Sequence, residues 1–180
     1  MTTNPIDPTQ LAETSFSALR QLNYHQALLL VVEDQDDVWT IFQFVLKKCF
    51  PDILLHRTTS RADTLAFLRQ GVTGQGILPK LILQDLYMPD RQSGMGLLED
   101  TRALLSNRQQ IPILVLSSSV DVQDVQQAYQ SGCSYYIVKP VGINNWLSLC
   151  QSLRSFWWDQ GVLPIYSPET TVPQLTVPSV

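Results

Sequence analysis

The sequence predicts an α/β fold in which helices cover both faces of a five-stranded parallel sheet. Five short runs rich in leucine and β-branched residues recur between residues 27 and 158, and the segments between them carry apolar residues at helical spacing. This alternation is typical of βαβ units. Four of the runs are apolar almost throughout, as expected for parallel strands whose two faces are both covered.

The predicted strands are ALLLVV (27–32), DILLHR (52–57), KLILQ (80–84), IPILVL (111–116) and SYYIV (134–138). The first three crossovers contain helical apolar patterns, which are clearest between residues 38 and 49. We expect the fourth helix to begin after Asp121, a suitable N-cap, and to reach Gly132. The fifth is expected to begin near Asn144. Each crossover is therefore predicted to be helical.

Both ends of the chain differ from this alternating centre. We expect residues 1–26 to form an N-terminal extension that fits one amphipathic helix, and residues 27–158 to form the α/β domain. Residues 159–180 are expected to form a C-terminal extension and flexible tail, since the sequence from Ser167 onward is rich in Pro, Thr, Ser and Val.

Composition narrows the class of protein. The net charge is -4 and no run of Lys or Arg occurs, which argues against direct binding of nucleic acid or of an anionic membrane surface. No stretch approaches the roughly 20 apolar residues of a membrane span, and no export signal is recognisable. The three cysteines are odd in number and far apart, as expected for reduced thiols. These features predict a cytoplasmic protein.

Polar side chains stand at the carboxyl ends of four predicted strands. Glu33 and Asp34 follow the first strand, and Asp85 follows the third. Ser117 ends the fourth strand and Lys139 follows the fifth. Because ligands of open parallel sheets bind beyond the carboxyl ends of the strands, we expect these groups to share one site.

This set of groups suits phosphoryl transfer to a carboxylate. Clustered carboxylates repel one another, and a hard divalent cation such as Mg²⁺ relieves the repulsion. Asp85 would be the nucleophile, while Lys139 supplies positive charge and Ser117 a hydrogen-bond donor. Taken singly, each residue has a plainer explanation as a helix cap, a turn acceptor or a solvated lysine. Their coincidence at four strand ends favours the shared site.

From Leu28 to about Leu153 the sequence resembles the response-regulator receiver domains of two-component systems. The motifs that carry the resemblance are LLLVVEDQDD, LILQDLYMPD followed by SGMGLLE, IPILVLSSS and GCSYYIVKP. The resemblance implies a flavodoxin-like (CheY-like) doubly wound five-stranded parallel sheet with strand order 2-1-3-4-5.

The resemblance also implies roles for individual residues. Asp85 would be the phosphoacceptor, and Mg²⁺ would be held by Glu33, Asp34, Asp85 and the main-chain carbonyl of Tyr87. The phosphoryl-contacting and switch residues would be Ser117, Tyr136 as the rotating aromatic, and Lys139. A cis peptide is expected before Pro140.

Two segments are similar to response regulators of cyanobacterial phytochromes: LRQGVTGQGILPKLILQDL and LRSFWWDQGVLP. Members of that subfamily use the fifth helix and the segment after it in a homodimer. Because neighbours on a helix point about 100° apart, Phe156, Trp157 and Trp158 cannot all face one core. We therefore expect a homodimer with Trp157 or Trp158 at the contact, although a closing apolar turn on the domain's own core is the plainer explanation.

Three departures from the family pattern stand out. The turn DRQSG after Pro89 is one residue longer than usual before Gly94, the glycine expected to open the third helix. Glu33 stands where aspartate is more common. Tyr87 replaces the small or amide residue that often helps to align water, which predicts slow hydrolysis of the phosphoaspartate.

The sequence thus predicts a stand-alone response regulator. It would receive a phosphoryl group from a sensor histidine kinase, for which the resemblance suggests a phytochrome, and would signal to an unidentified protein effector by changed association. No second acid lies two residues after Asp85, which argues against turnover as a phosphatase, and no glycine-rich phosphate loop follows the first strand, which argues against a flavin carrier. The alternative is a degenerate receiver that acts as a phosphate-independent interaction module.

Overall fold

The computed structural model describes residues 27–106 and 111–160, so the predicted N-terminal extension and most of the tail lie outside the described residues. In chain order the elements are β1 (Leu28–Val32), α1 (Asp36–Cys49), β2 (Leu54–Thr58), α2 (Arg61–Val72), β3 (Leu81–Asp85), α3 (Arg91–Leu104), β4 (Ile113–Ser117), α4 (Val122–Gln130), β5 (Tyr135–Val138), α5 (Ile143–Leu153) and a π-helical segment, Arg154–Gln160.

The five strands form one sheet in the order β2-β1-β3-β4-β5. Every neighbouring pair is parallel. This confirms the predicted fold, and each predicted strand begins within two residues of an observed one. Among the described helices, none is both long and apolar enough to cross a membrane.

Alternate residues of the strands supply two separate cores. Leu29 and Val31 of β1 point to the face covered by α1 and α5, where they join Phe42 and Trp146. Leu30 and Val32 point to the face covered by α2, α3 and α4. Because side chains alternate across a strand, a single apolar run can serve both layers. This two-sided burial places the strand ends, with their polar residues, at the rim between the layers.

Helix starts follow the predicted capping chemistry at α4. The side chain of Asp121 accepts a hydrogen bond from the backbone N–H of Gln123, at 2.8 Å, and the helix ends at Gln130. In α3, Asp90 caps the N–H of Ser93 in the same way, so the helix begins at Arg91. The additional residue of the DRQSG turn is therefore part of the first helical turn, and Gly94 lies inside α3 rather than at its start.

The position of the cis peptide differs from the expectation. In the described residues the cis bond joins Met88 and Pro89, and the bond before Pro140 is not cis, which corrects the prediction. After β5 the chain turns into α5 through Gly142. Its φ of 83° is a backbone angle that glycine adopts easily because it has no side chain.

Gly94 is the point of closest approach between α3 and the segment that follows β3. A Cβ atom built at Gly94 would lie 1.7 Å from the carbonyl oxygen of Leu86, which is backbone and cannot rotate away. The side-chain amide of Gln84 donates to the Gly94 carbonyl at 2.9 Å, so the helix is also tied to β3. This close packing sets the position of the chain directly after Asp85.

Replacing Gly94 by alanine should therefore destabilise the protein by about 3 kcal/mol, since either α3 or the Leu86 backbone has to move. The measurement is the free energy of unfolding in urea. Gly96→Ala in the same helix is the matched control, because its Cβ would meet only the Nη1 end of the flexible Arg61 side chain, at 3.2 Å. At position 96, alanine should stabilise the helix by up to about 1 kcal/mol relative to glycine, because its helix propensity is higher. Equal stability of the two variants would contradict the close-packing argument.

Candidate phosphoryl-acceptor site

Three carboxylates meet at the carboxyl edge of the central strands. Glu33 and Asp34 follow β1 directly, and Asp85 is the last residue of β3, the strand beside it. One oxygen from each lies within 4.8 Å of the others. Glu33 is fully buried and Asp85 is 3% exposed, while Asp34 is half-buried. The structure thus brings together the three acidic side chains that the sequence singled out.

Lys139 supplies the positive charge of this cluster. Its Nζ lies 2.9 Å from Oε2 of Glu33 and 3.0 Å from Oδ2 of Asp85. The backbone places it there, since the N–H of Lys139 donates to the Ser117 carbonyl and extends the β4–β5 ladder by one residue. Burial raises the pKa of Glu33 above its usual range, and the nearby Lys139 partly opposes that rise.

The acidic side chains fit a divalent cation. Oδ1 of Asp34 is buried without a hydrogen-bond partner, although a buried carboxylate oxygen ordinarily has one. Carboxylate oxygens are the ligands that hard cations such as Mg²⁺ and Mn²⁺ prefer. A cation among Glu33, Asp34 and Asp85 would coordinate the unpartnered oxygen of Asp34. It would also offset the repulsion among the three carboxylates that the single positive charge of Lys139 does not neutralise.

The two predicted switch residues are buried on the neighbouring strands β4 and β5. Ser117 is fully buried, and its Oγ accepts a hydrogen bond from the N–H of Ser119 at 3.0 Å. The ring of Tyr136 is only 9% exposed, and its hydroxyl donates to the Ser119 carbonyl at 3.0 Å. Burial raises the pKa of Tyr136. The aromatic side chain that the sequence predicted to rotate is thus buried, with its hydroxyl hydrogen-bonded to the Ser119 carbonyl.

Tyr87 connects the acidic cluster to α4. Its N–H donates to Oδ1 of Asp85 at 3.3 Å, and its hydroxyl donates to Oδ2 of Asp124 at 3.0 Å. Asp124, 4% exposed, also accepts a hydrogen bond from the guanidinium of Arg91, which in turn donates to Gln127. Hydrogen bonds from the Ser119 side chain and from Arg91 lower the pKa of Asp124.

Sequence reasoning missed Asp124 and Arg91. A signal for Asp124 was present, since it precedes the buried Ala128 by four residues and so shares the inner face of the predicted helix. Its partners could not be read in this way. Arg57, at the carboxyl end of β2, was also missed; it lies in the one predicted strand that is not apolar almost throughout.

The aromatic segment after α5 divides between the core and the surface. Trp157 packs partly against the core beneath α1 and α5, whereas the side chain of Phe156 is 67% exposed. The two rings contact edge to face, with 5.5 Å between their centroids. The side chain of Trp158 lies outside the described part of the structure. Neighbouring aromatics thus point in different directions, as the helical geometry requires.

Comparison with known proteins gives one consistent family. The family profile described as response regulator receiver domain matches residues 29–151, well over half of the chain. The response regulator Rcp1 of Synechocystis sp. is 29% identical over 138 residues, which is 76% of this chain and 92% of Rcp1.

Solved structures agree with the sequence match. The Mn²⁺-bound form of Rcp1 aligns with a TM-score of 0.67 at 28% identity, covering 77% of this chain and 99% of that one. RPA3017, a response regulator in red light signalling of R. palustris, aligns with a TM-score of 0.68 at 26% identity. That alignment covers 78% of this chain and 99% of RPA3017. The phosphorylated cyanobacterial phytochrome response regulator RcpA aligns with a TM-score of 0.69 at 24% identity, covering 78% of this chain and 99% of RcpA. At this level of identity the alignment shows a likeness of fold.

Receiver domains bind a divalent metal at an acidic pocket, and the three carboxylates of this chain form such a pocket. The chain is similar in sequence to the response regulator Rcp1 and in fold to the cyanobacterial phytochrome response regulator RcpA. It belongs to the response regulator receiver domain family.

Proposed function

We propose that this protein accepts a phosphoryl group on Asp85 from a sensor histidine kinase and signals by changing its association with other proteins. The observation that carries the proposal is the meeting of Glu33, Asp34 and Asp85 with Lys139 at one buried rim. The cation would be Mg²⁺, held by the three carboxylates and the main-chain carbonyl of Tyr87. When bound, it would neutralise charge on the carboxylates and on the phosphoryl oxygens.

The side chains have distinct tasks in the transfer. A carboxylate oxygen of Asp85 attacks the phosphorus, forming a P–O bond, while the bond from phosphorus to the donor's imidazole nitrogen breaks and that nitrogen keeps the electron pair. Lys139, 3.0 Å from Asp85, moves its charge from the carboxylate toward the phosphoryl oxygens. Ser117 provides a hydroxyl donor from the end of β4. No side chain is required as a general base, since a carboxylate is already the nucleophile.

The phosphorylated state would differ from the present one around Ser117. Its Oγ now accepts from Ser119 N–H, and its hydroxyl hydrogen would donate to a phosphoryl oxygen on Asp85, drawing the side chain toward that group. Ser119 also holds the Tyr136 hydroxyl through its carbonyl, so movement of the 117–119 segment is coupled to Tyr136. Beyond it lies a partly exposed apolar surface of α4, β5 and the turn after it: Val122, Tyr129, Tyr135, Val138 and Val141. This surface is the proposed output face.

A phytochrome is the kinase that the similarity to Rcp1 and RcpA suggests. We place the exchange in the cytoplasm, in keeping with three buried cysteines that are free thiols in this structure. Response regulator receiver domains are generally signalling proteins, and we propose that this chain likewise performs no turnover reaction of its own.

Incubation with acetyl phosphate and Mg²⁺ should add the mass of one phosphoryl group to the protein, because the donor needs only the acidic cluster and Lys139. Intact-mass spectrometry measures the product. Asp85→Asn should show no gain, and omission of Mg²⁺ should reduce the gain in the wild type. A wild type that stays unmodified while a known receiver is labelled would support the phosphate-independent interaction module instead.

Tyr87→Asn should shorten the lifetime of phosphorylated Asp85, by about tenfold if alignment of the attacking water is worth about 1.4 kcal/mol. The tyrosine ring is held toward α4 by its bond to Asp124, so the position offers no polar group to orient water. The rate is measured from loss of phosphoprotein after removal of the donor. Tyr87→Phe is the matched control, because it loses the bond to Asp124 without gaining an amide. A Tyr87→Asn lifetime equal to that of wild type contradicts the proposal.

We further propose a homodimer in which Trp157 or Trp158 contributes to the contact. Phe156 is mostly exposed beside the half-buried Trp157, which makes this segment more apolar at the surface than a monomer requires. Sedimentation velocity should show a dimer in the wild type and its loss when Phe156 and Trp157 are both replaced by serine. Val120→Ser, a change at an exposed apolar residue on another surface, should leave the dimer intact. Dimers in all three proteins would place the contact elsewhere.

A further inference from the structure

Arg57 of β2 is hydrogen-bonded to the backbone of the two acidic residues that follow β1. The parallel register sets Arg57 beside Val31, two residues before Glu33. Its Nε donates to the Glu33 carbonyl at 2.9 Å, and its Nη2 donates to the Asp34 carbonyl at 3.1 Å. One guanidinium therefore holds two successive peptide groups.

The guanidinium is itself held in place. Its Nη1 forms an ion pair with Asp36 at 2.7 Å, and its plane lies 5.5 Å from the centre of the Trp39 ring. The side chain of Arg57 is only 16% exposed. The backbone of β2 adds a third tie to the same segment, since the N–H of Glu33 donates to the Thr58 carbonyl at 3.1 Å. The segment after β1 is thus bound along its length to β2.

This arrangement matters because the backbone angles at Glu33 and Asp34 decide where their carboxylates point. The Oδ1 of Asp34 has no partner of its own, so no side-chain contact at that atom sets its direction. Only Arg fits this task, as its rigid planar fork can donate to two carbonyls and a carboxylate at once, whereas the ammonium of lysine is a point charge on a flexible stem.

We propose that Arg57 is a positioning residue for the divalent-cation site, acting through the main chain of Glu33 and Asp34. The inference rests on the proposed function only in needing a cation to bind among the acidic residues. Groups outside the ligand set that orient ligands typically change metal affinity by 10- to 100-fold when they are removed.

The sign of the effect separates positioning from simple electrostatics. Arg57 carries a positive charge near the cluster, so its charge alone opposes the binding of a cation. Removing that charge with Arg57→Gln would tighten cation binding if only the charge mattered. If the fork positions the ligands, both Arg57→Gln and the charge-preserving Arg57→Lys weaken binding.

The experiment is a titration with Mn²⁺ alone, in which electron paramagnetic resonance reports the free ion and gives the Kd without any phosphoryl donor. We expect Arg57→Lys and Arg57→Gln each to raise the Kd by about 10-fold. Circular dichroism and urea unfolding establish that each variant is folded under the titration conditions. Asp36→Asn should raise the Kd less than either Arg57 variant, because the exposed Asp36 helps to orient the guanidinium but does not itself contact the two carbonyls.

Arg102→Lys is the matched control. Arg102 also donates to two carbonyls, those of Ile111 at 2.7 Å and Gly132 at 2.5 Å, and to Ser134 Oγ at 2.9 Å. These groups lie at the amino ends of β4 and β5, at the edge of the sheet opposite to the acidic cluster. The variant should lose stability comparable to that lost by Arg57→Lys while keeping the wild-type Kd for Mn²⁺.

The outcomes are distinct. A wild type that binds no Mn²⁺ overturns the metal site in the proposed function and this inference with it. Binding by the wild type with an unchanged or tighter Kd in both Arg57 variants overturns the positioning role alone. An equal rise in Kd for Arg102→Lys would also overturn it, since general loosening of the fold would then explain the loss.

Discussion

Two buried carboxylates that share one ammonium group are the constraint around which this domain is arranged. Glu33 and Asp85 come from neighbouring strands and both contact Nζ of Lys139, with almost no access to solvent. Buried charge is costly unless it is paired, and one lysine cannot neutralise three acidic groups. The remaining negative charge, together with the unpartnered oxygen of Asp34, accounts for the affinity for a cation that receiver domains share.

The backbone around this cluster is braced on both sides by contacts that allow little adjustment. On the α1 side, Arg57 holds the carbonyls of Glu33 and Asp34. On the α3 side, Gly94 packs against the Leu86 carbonyl so closely that no side chain fits between them. Such bracing holds the carboxylates close together, because packing and hydrogen bonds elsewhere offset the cost of their repulsion.

A second feature joins Asp85, the proposed acceptor, to the proposed output face. Tyr87 contacts Asp85 through its N–H and Asp124 of α4 through its hydroxyl, so a change at the acceptor has a short covalent and hydrogen-bonded route to that helix. Tyr136 is tied to the Ser119 carbonyl on the other side of the same loop. Tyr136 thus contacts the segment between β4 and α4, while Tyr87 contacts the first turn of α4 itself.

The sequence alone determined the layered fold and the acidic cluster. Apolar runs show where strands are covered on both faces, and residues directly after parallel strands must gather at one edge, which is why Glu33, Asp34, Asp85 and Lys139 were predictable. Only the tertiary structure decided that Arg57 grips the segment after β1, that Tyr87 bonds to Asp124, and that the cis peptide precedes Pro89 rather than Pro140. Those features depend on how side chains from distant segments meet and on the path of individual turns, and neither hydrophobic periodicity nor residue spacing encodes such contacts.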